Sequence, residues 1–379
     1  MPGIFSSLVL IPCLTTAGFY LYSIRGASDL FSSRGEQGPD FTPPVSILKP
    51  LCGLESDTYE NLASFCRQDY PQHQILFGVA QANDPAVEVV KQIIRDFPER
   101  DIELVICAVS RGTNPKVSSL IQMQAKAKHP FVLLSDSDIW VKSDYVRHLM
   151  RSFGDSSVGA LTCMGRSRTK GFPSILEALR VATDFCAGVL VARKLEGVKF
   201  GLGSTIALRR EALEAIGGFS AISDYLADDF QLGALINKAG WKVLLSDYVV
   251  EHRFARMTLA QIIRRQSRWA KGIRVSRPLS YGGLFFTQGT PLSVLFLALT
   301  RGSFLGWAVL AATWSARLAA AYIIGARFLR DRTVKRFLWL APVQDLVGFV
   351  VWCANLFGSA VDWRGERFRL TRNGKLIPV

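Results

Sequence analysis

Phe131-Val132-Leu133-Leu134-Ser135-Asp136-Ser137-Asp138 is the stretch on which the fold of this chain turns. Four apolar residues in a row read as a short buried strand, and two acids one residue apart follow at once. A strand that ends this way presents hard oxygen ligands at the carboxyl edge of a sheet. Such ligands suit Mg²⁺ or Mn²⁺, which takes one or two carboxylates and completes its shell with water and phosphate oxygens. An Asp-x-Asp triplet alone is a weak signal, because acids also cap helices. Its place directly after the strand gives it weight.

Upstream, strands and helices alternate. Pro43 to Lys49 and Gln74 to Ala80 read as buried strands, with a helix from Tyr59 to Arg67 between them. Pro85 to Phe97 is an amphipathic helix, with Val87, Val90, Ile93, Ile94 and Phe97 on one face. A strand from Ile102 to Val109 and a helix from Val117 to Ala127 precede Phe131. This order predicts an α/β domain with a mostly parallel sheet covered on both faces, whose ligands bind at the carboxyl ends of the strands. The second strand runs out at Asp84-Pro85, which adds an acid to that edge. No GxxxxGK[ST] is present, and Gly201-Leu202-Gly203 lacks the rest of a dinucleotide fingerprint.

Farther on, Asp228-Asp229-Phe230 precedes an apolar helix, Leu232 to Ala239, where acids favour the positive end of the helix dipole. Arg264-Arg265-Gln266-Ser267-Arg268-Trp269 then reads locally as a basic amphipathic segment suited to lipid headgroups. The seven cysteines are scattered with no CxxC, which argues against a disulfide framework or zinc cluster and for a reduced chain. The four histidines show no ligand spacing.

Lys and Arg number 45 against 31 Asp and Glu, a net charge of +14 on 379 residues, yet mean hydropathy is +0.21. The apolar residues are therefore gathered in blocks, and disorder is excluded. Ile4 to Tyr22 carries no charge and is long enough to cross a bilayer, with no basic start of the kind signal peptides have; it reads as an uncleaved anchor. Gly283 to Gly325 holds only two charges, Arg301 and Arg317, and fits two spans with a turn near Arg301-Gly302. Arg317 then lies inside a span and must face protein or water. Phe337 to Val361 has five basic residues before it and five after, from Arg327 to Arg336 and from Arg364 to Lys375. Both flanks favour the same side, so this block is expected to be re-entrant or interfacial, with three full crossings fitting better than four. The organisation expected is a membrane anchor at 1–25, a cytosolic domain at 26–279 and a membrane region with a basic tail at 280–379. The membrane is the inner one for a bacterial chain, and Golgi or ER for a eukaryotic one.

Taken as an ordered set, these sites resemble the ceramide glucosyltransferase family, family-2-type inverting glycosyltransferases of GT-A fold whose hallmark is three aspartate motifs followed by [Q/R]xxRW. The stretches that carry the resemblance are Pro43 to Leu51, Asn83-Asp84-Pro85, Asn114-Pro115-Lys116-Val117, Asp136-Ser137-Asp138-Ile139, Ala227-Asp228-Asp229, Arg265-Gln266-Ser267-Arg268-Trp269 and Trp363-Arg364-Gly365. Two departures stand out: Asp-Asp where the family has Glu-Asp, and Ser118-Ser119 where an asparagine is common. The resemblance implies transfer of a hexose from a UDP-sugar to a hydroxyl of a lipid in the bilayer, most closely glucose to ceramide. It implies Asp84 at the uracil, Lys116 near the nucleotide, and Asp136 and Asp138 on Mg²⁺ or Mn²⁺. Asp229 is then the general base, Arg265 and Arg268 a phosphate clamp, and Trp269 a wall beside the headgroup.

Hopanoid-associated glycosyltransferases, which attach N-acetylglucosamine to a polyol-tailed triterpenoid, share these motifs and remain an alternative. A processive polysaccharide synthase shares the aspartates and R-x-x-R-W but usually has more membrane helices. A nucleic-acid binder leaves the ordered aspartates unexplained, and no nucleic-acid partner is expected.

Overall fold

The computed structural model of the chain describes residues 4–32, 40–55, 57–169, 171–363 and 366–379; Arg364 and Gly365 of the tail stretch lie outside them. The chain forms two compact units. One, made of 33–165, 198–255 and 368–379, carries the sheet; the other, made of 1–32, 166–197 and 256–367, is mainly helical. The interval 26–279 contributes to both.

The large sheet of the first unit is built from β1 (Val45–Leu51), β2 (His73–Val79), β3 (Asp101–Ile106), β4 (Phe131–Ser135), β5 (Ile139–Trp140), β6 (Val158–Arg168), β7 (Thr205–Arg209) and β8 (Lys242–Arg253). They lie in the order β3-β2-β1-β4-β7-β6-β8-β5. The half read from the sequence, β3-β2-β1-β4, is parallel. Beyond β4 the pairings of β7 with β4 and β6, and of β5 with β8, are antiparallel, so the sheet is mixed. β1, β2 and β4 are buried along their whole length, the mark of strands covered on both faces. Ile47, Ile75 and Leu133 pack into one apolar layer and Leu48, Leu76 and Leu134 into the opposite one, as the two-residue period of a strand requires. Helices Thr58–Cys66, Ala86–Asp96 and Pro115–Gln124 connect the parallel strands, and the 86–96 helix buries Ala86, Val87, Val90 and Ile93. With β4 ending at Ser135, Asp136 and Asp138 fall at the carboxyl edge, as do Asp84 after β2 and Lys116 after β3.

In the helical unit the first helix runs Ile4–Ser32, ten residues past the expected anchor end at Tyr22. Among the described residues three helices are long and apolar enough to cross a membrane, Ser7–Phe31, Phe304–Phe328 and Arg332–Ala354, and the pair Pro278–Thr287 plus Gly289–Leu299 is bent by 51°. The bend falls on the 278–299 segment, and most of the block expected to be re-entrant or interfacial belongs to the helix Arg332–Ala354, which is of spanning length. The turn at Arg301-Gly302 is present, with both residues at positive φ.

Arg317 faces protein. It is fully buried, donates to Asp345 (2.8–3.1 Å), to Asp184 (2.6 Å) and to the Thr183 hydroxyl (2.9 Å), and lies 5.5 Å from the Tyr20 ring centre. A charge inside apolar helices is tolerated when paired in this way.

Candidate active site

The parallel half of the sheet brings four of the expected residues to one edge. Asn114 caps the helix Pro115–Gln124 by accepting from the N–H groups of Lys116 (3.0 Å) and Val117 (3.2 Å), which places Lys116 in its first turn. The Lys116 ammonium then reaches Asp136 Oδ1 at 2.7 Å and Asp228 Oδ2 at 3.7 Å. Burial disfavours its charge, but these carboxylates outweigh burial and hold Lys116 protonated above the ordinary lysine range. One cation therefore joins the Asp-x-Asp end of β4 to the acid pair.

Asp229, in the first turn of helix Asp228–Lys238, accepts from Gly203 N–H at Oδ2 (2.7 Å) and from Phe230 N–H at Oδ1 (2.8 Å). Burial, and then the charge of Asp228, push its carboxyl up to about 6 against the pull of Lys116. A carboxylate ionised just below neutral pH and still offering free lone pairs is chemically fit to accept a proton. The approach is close. A Cβ at Gly203 would stand 3.0 Å from Asp229 Oδ2, one at Gly201 2.7 Å from the Asp229 carbonyl oxygen, and one at Gly233 2.3 Å from Gly201 N.

Asp138 is backed by β8. Ile139 pairs with His252, and Arg253 N–H donates to the Asp138 carbonyl (2.8 Å). His252 Nδ1 consequently lies 3.7 Å from Asp138 Oδ2. Among the described residues no three His, Cys, Asp or Glu side chains form a ready metal cage. Two carboxylates beside an imidazole nevertheless fit a hard or borderline divalent cation that draws its remaining ligands from water and phosphate.

Behind the site, Lys49 on β1 is completely buried. It donates to the Asp136 carbonyl (2.7 Å) and Ser135 Oγ (3.3 Å) and sits 3.7 Å from the Phe65 ring centre. Burial draws its pKa down to about 7, against the charges of Asp136 and Asp138. Asp84 accepts from Gly53 N–H at both oxygens (3.1 and 3.0 Å) and from Ala86 N–H (2.8 Å), fixing the β1 loop, where Gly53 has φ +68°.

Arg265, Arg268 and Trp269 belong to the helical unit, on the helix Leu259–Ser276. There the fully buried Glu177 accepts from Gln266 Nε2 (2.7 Å) and Arg180 Nε (3.2 Å), with Arg265 Nε at 3.9 Å. Burial alone would raise the Glu177 carboxyl; Arg180, with Arg265 and Gln266 behind it, holds it below the usual carboxylate range. The Trp269 ring lies 4.9 Å from the Arg180 guanidinium and 4.8 Å from that of Arg265, and Arg268 is 5.5 Å from the Trp363 ring.

The sequence profile of glycosyl transferase family 21 matches residues 8–376, a span that contains all of these positions. The chain belongs to that family. Among curated proteins it is similar to two from Caenorhabditis elegans: ceramide glucosyltransferase 3, 29% identical over 234 residues (60% of this chain, 50% of the relative), and ceramide glucosyltransferase 1, 27% identical over 271 residues (70% and 58%). The match thus spans little more than half the length of these relatives. Among solved structures it is similar to a mannosyltransferase from Pyrobaculum calidifontis in complex with GDP-Man and Mn²⁺, with TM-score 0.54, 19% identity, and coverage of 92% of this chain and 99% of that one. This is a likeness of fold, the GT-A arrangement.

For this family 21 chain, five candidate residues escape the sequence reading. Gly201 and Gly203, set aside as an incomplete nucleotide fingerprint, are the close neighbours of Asp229. His252 gave no local ligand spacing, and only the β5–β8 register reveals it. Lys49 was read merely as part of a strand, and Glu177 was not singled out.

Proposed function

We propose that the protein is an inverting glycosyltransferase that moves a hexose from a UDP-sugar to a primary hydroxyl of a membrane lipid, glucose to ceramide being the principal reading. The observation that carries it is Asp229: a carboxylate near pKa 6, held by two main-chain N–H groups, at the sheet edge that bears Asp136, Asp138 and Lys116. The likeness to the two C. elegans ceramide glucosyltransferases supports the substrate class.

In this reading Asp84 and its loop receive the uracil, and Lys116 serves the diphosphate. Asp136 and Asp138, with His252 beside them, hold Mg²⁺ or Mn²⁺, which when bound neutralises charge on the departing UDP. The acceptor oxygen attacks the anomeric carbon from the face opposite UDP. The new C–O bond forms as the bond to the diphosphate breaks, and the hydroxyl proton passes to Asp229. A base so placed contributes roughly 10²- to 10⁴-fold. Arg265 and Arg268 clamp phosphate bidentately, and Trp269 lines the acceptor side. The catalytic part, within 26–279, faces the cytosol, where nucleotide sugars are dissolved, and the flanking apolar helices keep it at the bilayer that holds the acceptor.

The test is an end-point assay in detergent, offering UDP-glucose and UDP-N-acetylglucosamine against ceramide and a hopanoid polyol, with products identified by mass. Glucosylceramide formation that is lost in Asp229→Asn supports the reading. N-acetylhexosamine on the hopanoid transfers the acceptor assignment to the alternative, and undiminished activity of Asp229→Asn overturns the mechanism.

A further inference from the structure

The loop that leads into the acid pair is held by two segments distant in sequence. On one side Asn114 N–H donates to the Ser223 carbonyl (2.9 Å), Asn114 Nδ2 to the Tyr225 carbonyl (2.8 Å), and Thr113 N–H and Oγ1 to Asp224 Oδ1 (3.1 and 3.3 Å). On the other side stands the turn 371–376. Leu376 N–H donates to the Asp224 carbonyl (2.7 Å), and Leu226 N–H donates to the Gly374 carbonyl (3.1 Å). Tyr225 and Lys375 form a bridge, with the Lys375 ammonium 5.5 Å from the Tyr225 ring centre.

This turn is built to hold its shape. Thr371 N–H donates to the Lys375 carbonyl (2.9 Å), Gly374 N–H to the Thr371 carbonyl (3.0 Å), and Lys375 N–H to Thr371 Oγ1 (3.0 Å). Gly374 sits at φ +83°, where a side chain is strained. Strands Glu366–Leu370 and Leu376–Pro378 pair antiparallel behind it, with Phe368, Leu370 and Leu376 buried. The two bonds to the loop end at Leu226, two residues before Asp228.

We infer that 371–376 is a positioning strap for the acid pair, with Leu376 and Gly374 as its positioning residues. The inference rests on the reading of Asp229 as the base. Main-chain groups of 223–226 are fixed between the Asn114 cap, whose helix carries Lys116, and the strap. Releasing the strap lets the loop shift, and Asp229 loses its aim. Donor-side groups Asp84, Asp136 and Asp138 stand at the ends of β2 and β4, whose places are set by the parallel sheet.

The decisive variant is Leu376→Pro, which removes the N–H to Asp224 and also trims the buried side chain; Leu376→Ala trims the side chain further but keeps the N–H, and Leu376→Ile keeps both. Readouts are turnover, UDP affinity by calorimetry with Mn²⁺, thermal midpoint, and hydrogen exchange over 222–230. Expected for Leu376→Pro is a turnover loss of about 10- to 100-fold with UDP affinity within about twofold of the parent, since a small misplacement of a base falls on kcat. Faster exchange confined to 222–230 accompanies it, and Leu376→Ile behaves as the parent. Should Leu376→Pro not fold, Gly374→Ala is judged by the same criteria. Equal turnover of Leu376→Pro and Leu376→Ala overturns the strap, and so does a parallel fall of UDP affinity, thermal midpoint and turnover. With Asp229→Asn inactive, such a result leaves the base in place; an active Asp229→Asn removes the reading beneath the strap.

Discussion

Lys116 Nζ stands 2.7 Å from Asp136 Oδ1, so a helix start and a strand end are joined by one ion pair at the heart of the site. The same ammonium is 3.7 Å from Asp228 and pulls down the pKa of Asp229. Burial and Asp228 have raised Asp229 to about 6, and a base works in its ionised form. Turnover should therefore fall as pH drops through about 6. Replacing Lys116 by Met removes the opposing charge and moves this acid limb to higher pH. The check is kcat against pH for both proteins; an unmoved limb means that Asp229 does not feel Lys116.

Chelation should abolish transfer, with Mn²⁺ or Mg²⁺ restoring it. Asp138→Asn should raise the half-saturating metal concentration by about 10- to 100-fold, as loss of a ligand or its support does. Titration of metal-free protein followed by Mn²⁺ relaxation reads this independently of turnover, and an unchanged titration removes Asp138 from the metal.

Glu177→Ala should destabilise by about 3–5 kcal/mol, because Arg180 and Arg265 lose a buried counter-charge. Glu177→Gln should be milder, keeping the contact to Gln266. Since the folded-state pKa of Glu177 is lowered, its contribution is complete above the unfolded pKa and fades as pH falls through the folded one. Thermal midpoints of the parent and Glu177→Gln should accordingly keep their gap above the ordinary glutamate range and draw together only below it, as pH falls through the lowered folded value; a gap that stays constant into the acid range refutes the coupling.

Arg317→Leu leaves Asp345 and Asp184 without their partner among apolar helices, at a cost of about 3–5 kcal/mol. The double variant Arg317→Leu/Asp345→Leu should recover part of this loss. A thermal-shift double-mutant cycle in detergent measures the coupling, and strict additivity contradicts it.

What the sequence made legible was local. A strand running straight into Asp136 and Asp138, a helix opening at Lys116 and a lone arginine in an apolar block each announce themselves within a few residues. What stayed hidden depends on register and long-range pairing. His252 meets Asp138 only because β8 pairs with β5, and Glu177 meets Gln266 across 89 positions. Charge counts single out 337–361 and give no hint of the 51° bend between the helices Pro278–Thr287 and Gly289–Leu299. There Thr16 Oγ1 donates to the Phe286 carbonyl (2.8 Å), a contact that composition does not foresee.

Both oxygens of Asp229 are held by peptide N–H groups, which every residue except proline possesses. The aim of the acid is therefore encoded by the path of the chain. A saturation scan of this neighbourhood should show an uneven footprint. Position 230 should accept many residues as far as orientation of the acid goes, while 201 and 233 should accept glycine alone for want of space. Substrate preference in such an architecture can drift through side chains around the pocket without disturbing the proton acceptor.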